Sequence, residues 1–133
     1  MAKASGIGWS ACSVDDAAGT PVVIKNDVTN LQFSTPRATQ DVTGIDKSAM
    51  ERLLLLADFS ITLNGVFNAA VSHTAWKTIP STSVARTTSL TVNGVSLNTE
   101  VLYTDYPLSR ADSGELTWAV PGVLADGQVP TWT

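Results

Sequence analysis

Polar and apolar residues alternate along much of the chain, the period-two signature of strands with one buried face. The clearest case is Asp58–Phe67. There Phe59, Ile61, Leu63 and Gly65 face one way and Ser60, Thr62 and Asn64 the other, as in an antiparallel sheet packed on one side. In Val28–Ser34, Val28, Asn30 and Gln32 fall on one side and Thr29, Leu31 and Phe33 on the other. Further strands are predicted over Trp9–Val14, Thr20–Lys25, Arg86–Asn93, Leu97–Arg110 with a bulge at Pro107, and Glu115–Leu124. Thr39–Thr43 reads either as a strand extension or as loop. Asn93-Gly94 is a strong hairpin signal. Turns are expected at Asp15–Gly19 and Ala111–Gly114, and Asp126-Gly127 opens the tail.

The pattern changes between Asp46 and Ala57. Asp46 is a candidate cap, Ser48-Ala49-Met50-Glu51 matches a capping box, and Met50, Leu53, Leu54 and Ala57 fall at i, i+3, i+4 and i+7. A helix is predicted here. Leu55 and Leu56 lie outside its stripe, so they imply a second contact, a helix interface. A shorter helix over Ala69–Lys77, capped by Asn68 and ended by Pro80, is also predicted. Seven or eight strands with one or two short helices make the chain mainly β. The expected architecture is an antiparallel β-sandwich or split barrel with one flanking α-helix, in a single domain over residues 1–133.

Composition sharpens this picture. Seventeen threonines and fourteen valines suit pleated, half-buried strands. Eight Lys and Arg against twelve Asp and Glu give a net charge of −4. Charged residues are only 15 % of the chain, where roughly 25 % is usual. An apolar fraction of 44 % excludes compositional disorder, and the acidic balance excludes the usual basic nucleic-acid binder. The deficit of charge is unusual for a free monomer. Cys12 is the single cysteine, so no intrachain disulfide forms, and it reads as a small buried hydrophobe. The longest purely apolar stretch, Leu53–Ala57, is far too short to cross a membrane. The N-terminal residues show no secretory pattern, so synthesis in the cytoplasm is expected.

Few residues offer chemistry. His73 is the only histidine, and no G-x-S-x-G elbow accompanies it. Asp15-Asp16 and Asp112-Ser113-Gly114-Glu115 lack the spacing of a calcium loop, and turn chemistry accounts for both. Gly6-Ile7-Gly8 precedes a strand, not a helix, so it is no phosphate loop. Trp9, Trp76, Trp118 and Trp132 lie in different elements, and core or interface packing explains them better than a sugar platform. No catalytic residue, metal ligand or cofactor site is expected.

An ordered set of segments carries a resemblance. Thr20-Pro21-Val22-Val23-Ile24 leads into Asp27-Val28-Thr29-Asn30. Gln40–Arg52 follows, with Asp41-Val42-Thr43-Gly44, and then Asp58–Asn68, closing in Gly65-Val66-Phe67-Asn68. Asp105-Tyr106, Leu116–Pro121 and Pro130-Thr131-Trp132 agree towards the C-terminus. Together these resemble the tail tube (major tail) proteins of long-tailed phages, particularly siphophage-type phages of actinobacterial hosts. The resemblance implies a tail-tube fold, a β-sandwich with a flanking helix, in a structural virion protein without catalysis. It implies homo-oligomeric stacked rings, hexameric by expectation, whose inner sheets join into one barrel. The tube would house the tape-measure protein, meet tail terminator and baseplate or tip proteins, and conduct genomic DNA without specific binding. It would be assembled in the host cytoplasm, with no membrane partner.

On this resemblance the segment Thr35–Lys47 reaches a neighbouring subunit or ring, with Thr35, Arg37, Gln40, Asp41, Thr43, Asp46 and Lys47 as candidate contacts. A lumen that passes DNA must not carry rows of Lys or Arg, and Thr62, Asn64, Glu100, Thr104 and Glu115 are candidate wall residues. The alternatives are a tail terminator or connector, a β-sandwich carbohydrate-binding module using Trp9 or Trp118, and a small hydrolase using His73.

Overall fold

Alternation decides where the sheet forms. In a computed structural model describing residues 3–133, the chain folds into eleven strands and one short helix. The strands are β1 Ala11–Asp15, β2 Pro21–Val23, β3 Val28–Ser34, β4 Arg37–Asp41, β5 Arg52–Ala57 and β6 Ser60–Val66. After the helix α1, Ser72–Trp76, come β7 Arg86–Val92, β8 Val95–Tyr103, β9 Leu108–Arg110, β10 Leu116–Leu124 and β11 Thr131–Trp132.

Nine strands form one antiparallel sheet in the order β2-β1-β7-β8-β10-β6-β3, with β9 paired to β10 and β11 to β8. The two halves of the sheet meet only where Val101–Tyr103 of β8 pair with Gly122–Leu124 of β10. Both halves bury residues in one shared core. Cys12, Val14, Leu90, Leu97 and Val101 come from one half, and Ile61, Leu63, Trp118 and Val120 from the other. One core shared by two halves of a mainly antiparallel sheet agrees with the sandwich or split-barrel architecture expected from the strand pattern. The β7–β8 hairpin closes as expected on Asn93 (φ 51°) and Gly94 (φ 81°), both in the left-handed region that a two-residue turn of this type requires.

The helix is the shorter of the two predicted. Its residues Ala75 and Trp76 are buried, and Trp76 meets Tyr103 and Trp118 edge-on at 4.9 and 5.6 Å. The Asn68 amide nitrogen donates to Asp27, a buried carboxylate that also accepts from the Ser72 backbone N–H. Asn68 therefore braces the turn before the helix rather than its first residue. At the other end the buried Arg86 guanidinium donates to the Ala75 and Asp15 carbonyls at 2.7 and 3.1 Å and to Thr78 Oγ1 at 2.8 Å. Burial lowers its pKa, against the raising influence of Asp16 and Asp15.

Several expectations are corrected. The helix predicted over Asp46–Ala57 does not form: Arg52–Ala57 is strand β5, paired with β4, and Asp46–Glu51 belong to the loop between them. A run of four leucines satisfies a helical period and a strand period alike, and pairing with β4 decides for the strand. Leu55 and Leu56 are consequently not helix residues. The long strand over Leu97–Arg110 ends at Tyr103, and Pro107 stands before a separate β9 instead of in a bulge. A register shift between Val28 and Asn30 turns Val28 to the core beside Leu31 and Phe33, reversing the side on which strict alternation placed it.

Candidate assembly surface

The largest departure from an ordinary monomer surface is the β4–β5 hairpin. It continues the β3–β6 ladder past Ser34 and Ser60, interrupted at Thr35-Pro36 and Asp58-Phe59. It forms its own two-stranded sheet and has no substantial contact with any other element. Five strand residues carry it about 17 Å beyond the barrel. Register pairs Thr39 with Leu54 and Gln40 with Leu53, so Leu53 and Leu54 point to opposite faces, and a register shift follows where Leu55 and Leu56 stand between Leu54 and Ala57. All four are exposed, Leu56 at 91 % and Leu54 at 59 %. Val42, Ile45 and Met50 extend this apolar character to the tip. Isolated exposed leucines are unremarkable, but a contiguous apolar arm marks an interaction surface.

The tip is held by polar contacts. The Asp41 carboxylate accepts from the Thr43 N–H at 3.0 Å and is 2.6 Å from the Thr43 hydroxyl, and Thr43 Oγ1 accepts from the Glu51 N–H at 2.8 Å. The two hydrogen bonds from Thr43, hydroxyl first and backbone N–H second, lower the Asp41 pKa. Val42 N–H donates to the Glu51 carbonyl at 3.0 Å, closing the hairpin. Lys47 lies 3.4 Å from Asp46 and 4.0 Å from Glu51, exposed pairs that contribute little.

Thr35, Arg37, Gln40, Asp41, Thr43, Asp46, Lys47, Leu55 and Leu56 all fall on this one arm or at its root. The structure thus unites the loop and leucine candidates. Leu53, Leu54, Ile45 and Met50 belong with them; the signal was in the sequence, since four consecutive leucines cannot all fit one helical stripe.

The lumen candidates are not united. Thr62 and Asn64 lie on the outer face of β6. Glu100 is on the outer face of β8, in the other half of the sheet, where its carboxylate accepts from Thr87. Thr104 follows β8, and Glu115 precedes β10, accepting from the Ser113 hydroxyl at 2.7 Å.

Candidate chemistry resolves into packing. His73 Nδ1 lies 3.1 Å from the Tyr106 hydroxyl oxygen, and its ring lies 5.0 Å from that of Phe67. Trp76 and Trp118 are buried, Trp9 is half-buried, and Trp132 lies against Phe33 at 5.7 Å, so the four build no shared platform. The Asp16 carboxylate accepts the Ala18 and Thr20 N–H groups of its own turn. Among the described residues no cluster of three His, Cys, Asp or Glu side chains is placed to hold a metal. Burial pushes the Cys12 thiol up to about 11, so it stays protonated and unreactive.

No protein-family model and no curated protein matches the chain. Solved structures do. A chain in the tail of an empty gene transfer agent particle, a structure with C6 symmetry, superposes with a TM-score of 0.72 at 17 % identity, covering 98 % of this chain and 99 % of that one. A chain of the native gene transfer agent virion gives 0.71 at 17 % identity over the same spans. This protein has the fold of those chains. At that identity the likeness is one of fold, and it covers the whole barrel together with the arm.

Proposed function

We propose that this protein is a structural, non-enzymatic subunit of a phage-like tail, found in the virion, and that it polymerises into stacked rings forming the tail tube. The observation that carries this reading is the free-standing β4–β5 arm with leucines exposed on both faces. Such an arm costs solubility in a monomer and gains burial only against another molecule. The fold shared with chains of an assembled C6-symmetric tail points to copies of the same chain as that partner and to six copies per ring. The low charge agrees, since interface cores are depleted of charged residues. Head-to-tail contacts of this kind close into rings when the rotation permits.

In this reading Thr35–Lys47 and the leucines of β5 join copies within and between rings. The lumen houses a tape-measure protein and later conducts DNA, and the tube ends meet terminator and tip proteins. A terminator or connector role would give a single ring without stacking. Purified protein imaged by negative-stain electron microscopy tests the proposal. Tubes of stacked rings are expected, single closed rings would favour the terminator reading, and a chain that stays monomeric at high concentration would overturn both.

A further inference from the structure

β2 and β3 end the strand order of the large sheet and do not pair with each other. The barrel therefore has an open seam. A cleft of about 230 Å³ lies along it, between the segment that leads into β1 and the start of β3. Its floor is apolar: Cys12 is buried, and Trp9, Val28 and Leu31 are half-buried against the core. Lys25 is the one charged side chain among the described residues that line it. The Lys25 ammonium donates to the Ser10 carbonyl at 3.3 Å and makes no ion pair among the described residues. Pockets that enclose small-molecule ligands hold roughly 300–1,000 Å³. This smaller cleft suits one or two aliphatic side chains with a carboxylate at the rim.

The apex of the arm offers that combination. The Lys47 N–H donates to the Gly44 carbonyl at 3.1 Å, closing a turn that puts Ile45 and Asp46 at its two corners. Ile45 is the most exposed large apolar residue among the described ones, and the Asp46 carboxylate beside it is well exposed. The fold keeps cleft and apex apart within one copy. The cleft borders Val28–Leu31 at the start of β3, whereas the arm leaves beyond Ser34 at its end. An apex that points away from its own cleft meets one only on another copy. Such a contact is head-to-tail, the kind that propagates into rings or stacks.

Resting on the tube reading above, we infer that this cleft is the socket for the arm apex of a second copy: Ile45 seats against Trp9, Val28 and Leu31, and Asp46 pairs with Lys25. Seating takes the apolar floor and the exposed isoleucine out of water together. The ion pair sits at the rim, where it adds little affinity but fixes the orientation in which the apex enters.

Tubes assembled from equal amounts of an Ile45→Cys chain and a Thr29→Cys chain test this, since Thr29 lines the cleft and Cys12 is too buried to compete. After copper–phenanthroline oxidation, a disulfide joining positions 45 and 29 is expected, at a yield at least about tenfold above that of the same mixture kept unassembled by dilution. Well-formed tubes without that disulfide, or with position 45 joined elsewhere, would overturn the socket and leave the tube reading intact. Maleimide labelling of Thr29→Cys should be lost on assembly. Unchanged labelling would overturn the proposal and leave the cleft to a different tail protein. Charge exchange decides independently of the cysteines. Lys25→Glu should raise the critical concentration for polymerisation about threefold or more, and adding Asp46→Lys to the same chain should restore it. A double variant that assembles no better than Lys25→Glu alone would overturn the pairing. Failure of the unmodified protein to form tubes would instead overturn the underlying tube reading.

Discussion

Replacing Leu56 by Asp separates assembly from folding. Leu56 is 91 % exposed and touches little of its own chain, so the monomer should change by no more than about 0.5 kcal/mol, as for other surface substitutions. If assembly buries it, losing the side chain forfeits about 1.5–3 kcal/mol. An unpaired carboxylate enclosed in the same place costs several kcal/mol more. Because about 1.4 kcal/mol is tenfold in an equilibrium constant, the critical concentration for polymerisation should rise at least about tenfold. Pelleting assays over a protein dilution series measure that concentration, and urea unfolding of the unassembled chain measures the monomer. Leu55→Asp, at the neighbouring exposed leucine, should act in the same direction. Polymerisation of Leu56→Asp at the unmodified concentration would refute the claim that the arm is buried between copies. A large loss of monomer stability would refute the claim that it stands free.

Other consequences are open to direct measurement. Arg86→Ala leaves the Asp15 and Ala75 carbonyls and Thr78 Oγ1 without their buried donor, and should cost about 3–5 kcal/mol in urea unfolding; Arg86→Lys should recover part of this, since it keeps the charge but not the fork. Gly65→Ala would place a methyl 2.5 Å from both the Asp27 carbonyl oxygen and the Trp118 ring, and should destabilise the barrel by about 1–3 kcal/mol or more, seen as a lower melting temperature. The Asp41 pKa is lowered in the folded chain, so its contribution to tip order is present above the ordinary aspartate pKa and is lost as pH falls through the lowered value. The Thr43 amide resonance should report that loosening on acid titration, and Asp41→Asn should remove the pH dependence.

Strand β6 and its buried side were legible in the sequence because Phe59, Ile61 and Leu63 alternate with Ser60, Thr62 and Asn64, and one-sided burial leaves that mark. The β7–β8 turn was legible for a local reason, the Asn93-Gly94 pair. The arm was not. β4 reads Arg-Ala-Thr-Gln-Asp and is exposed throughout, so neither face is buried within the chain and no alternation announces it. β5 carries leucine at every position from 53 to 56, which erases the period, and the Ser48–Glu51 box then tips the reading towards a helix. The candidates Leu55 and Leu56 were picked out as surplus apolar positions, and that physical signal survives the change of element. The inward turn of Val28 depends on a register shift, and β11 is two residues long; neither leaves a trace in composition. Net charge gave the sign of the surface but not its placement, so Glu100 was grouped with Thr62 although the sheet puts them on different halves.

The central claim is that copies of this chain build a tube through the β4–β5 arm. Helical reconstruction from electron micrographs of the purified, assembled protein tests it most directly. The account gives stacked rings in which Leu53–Leu56 of each copy lie buried against other copies. Tubes in which those leucines remain in solvent, or a protein that forms no rings at all, would contradict it.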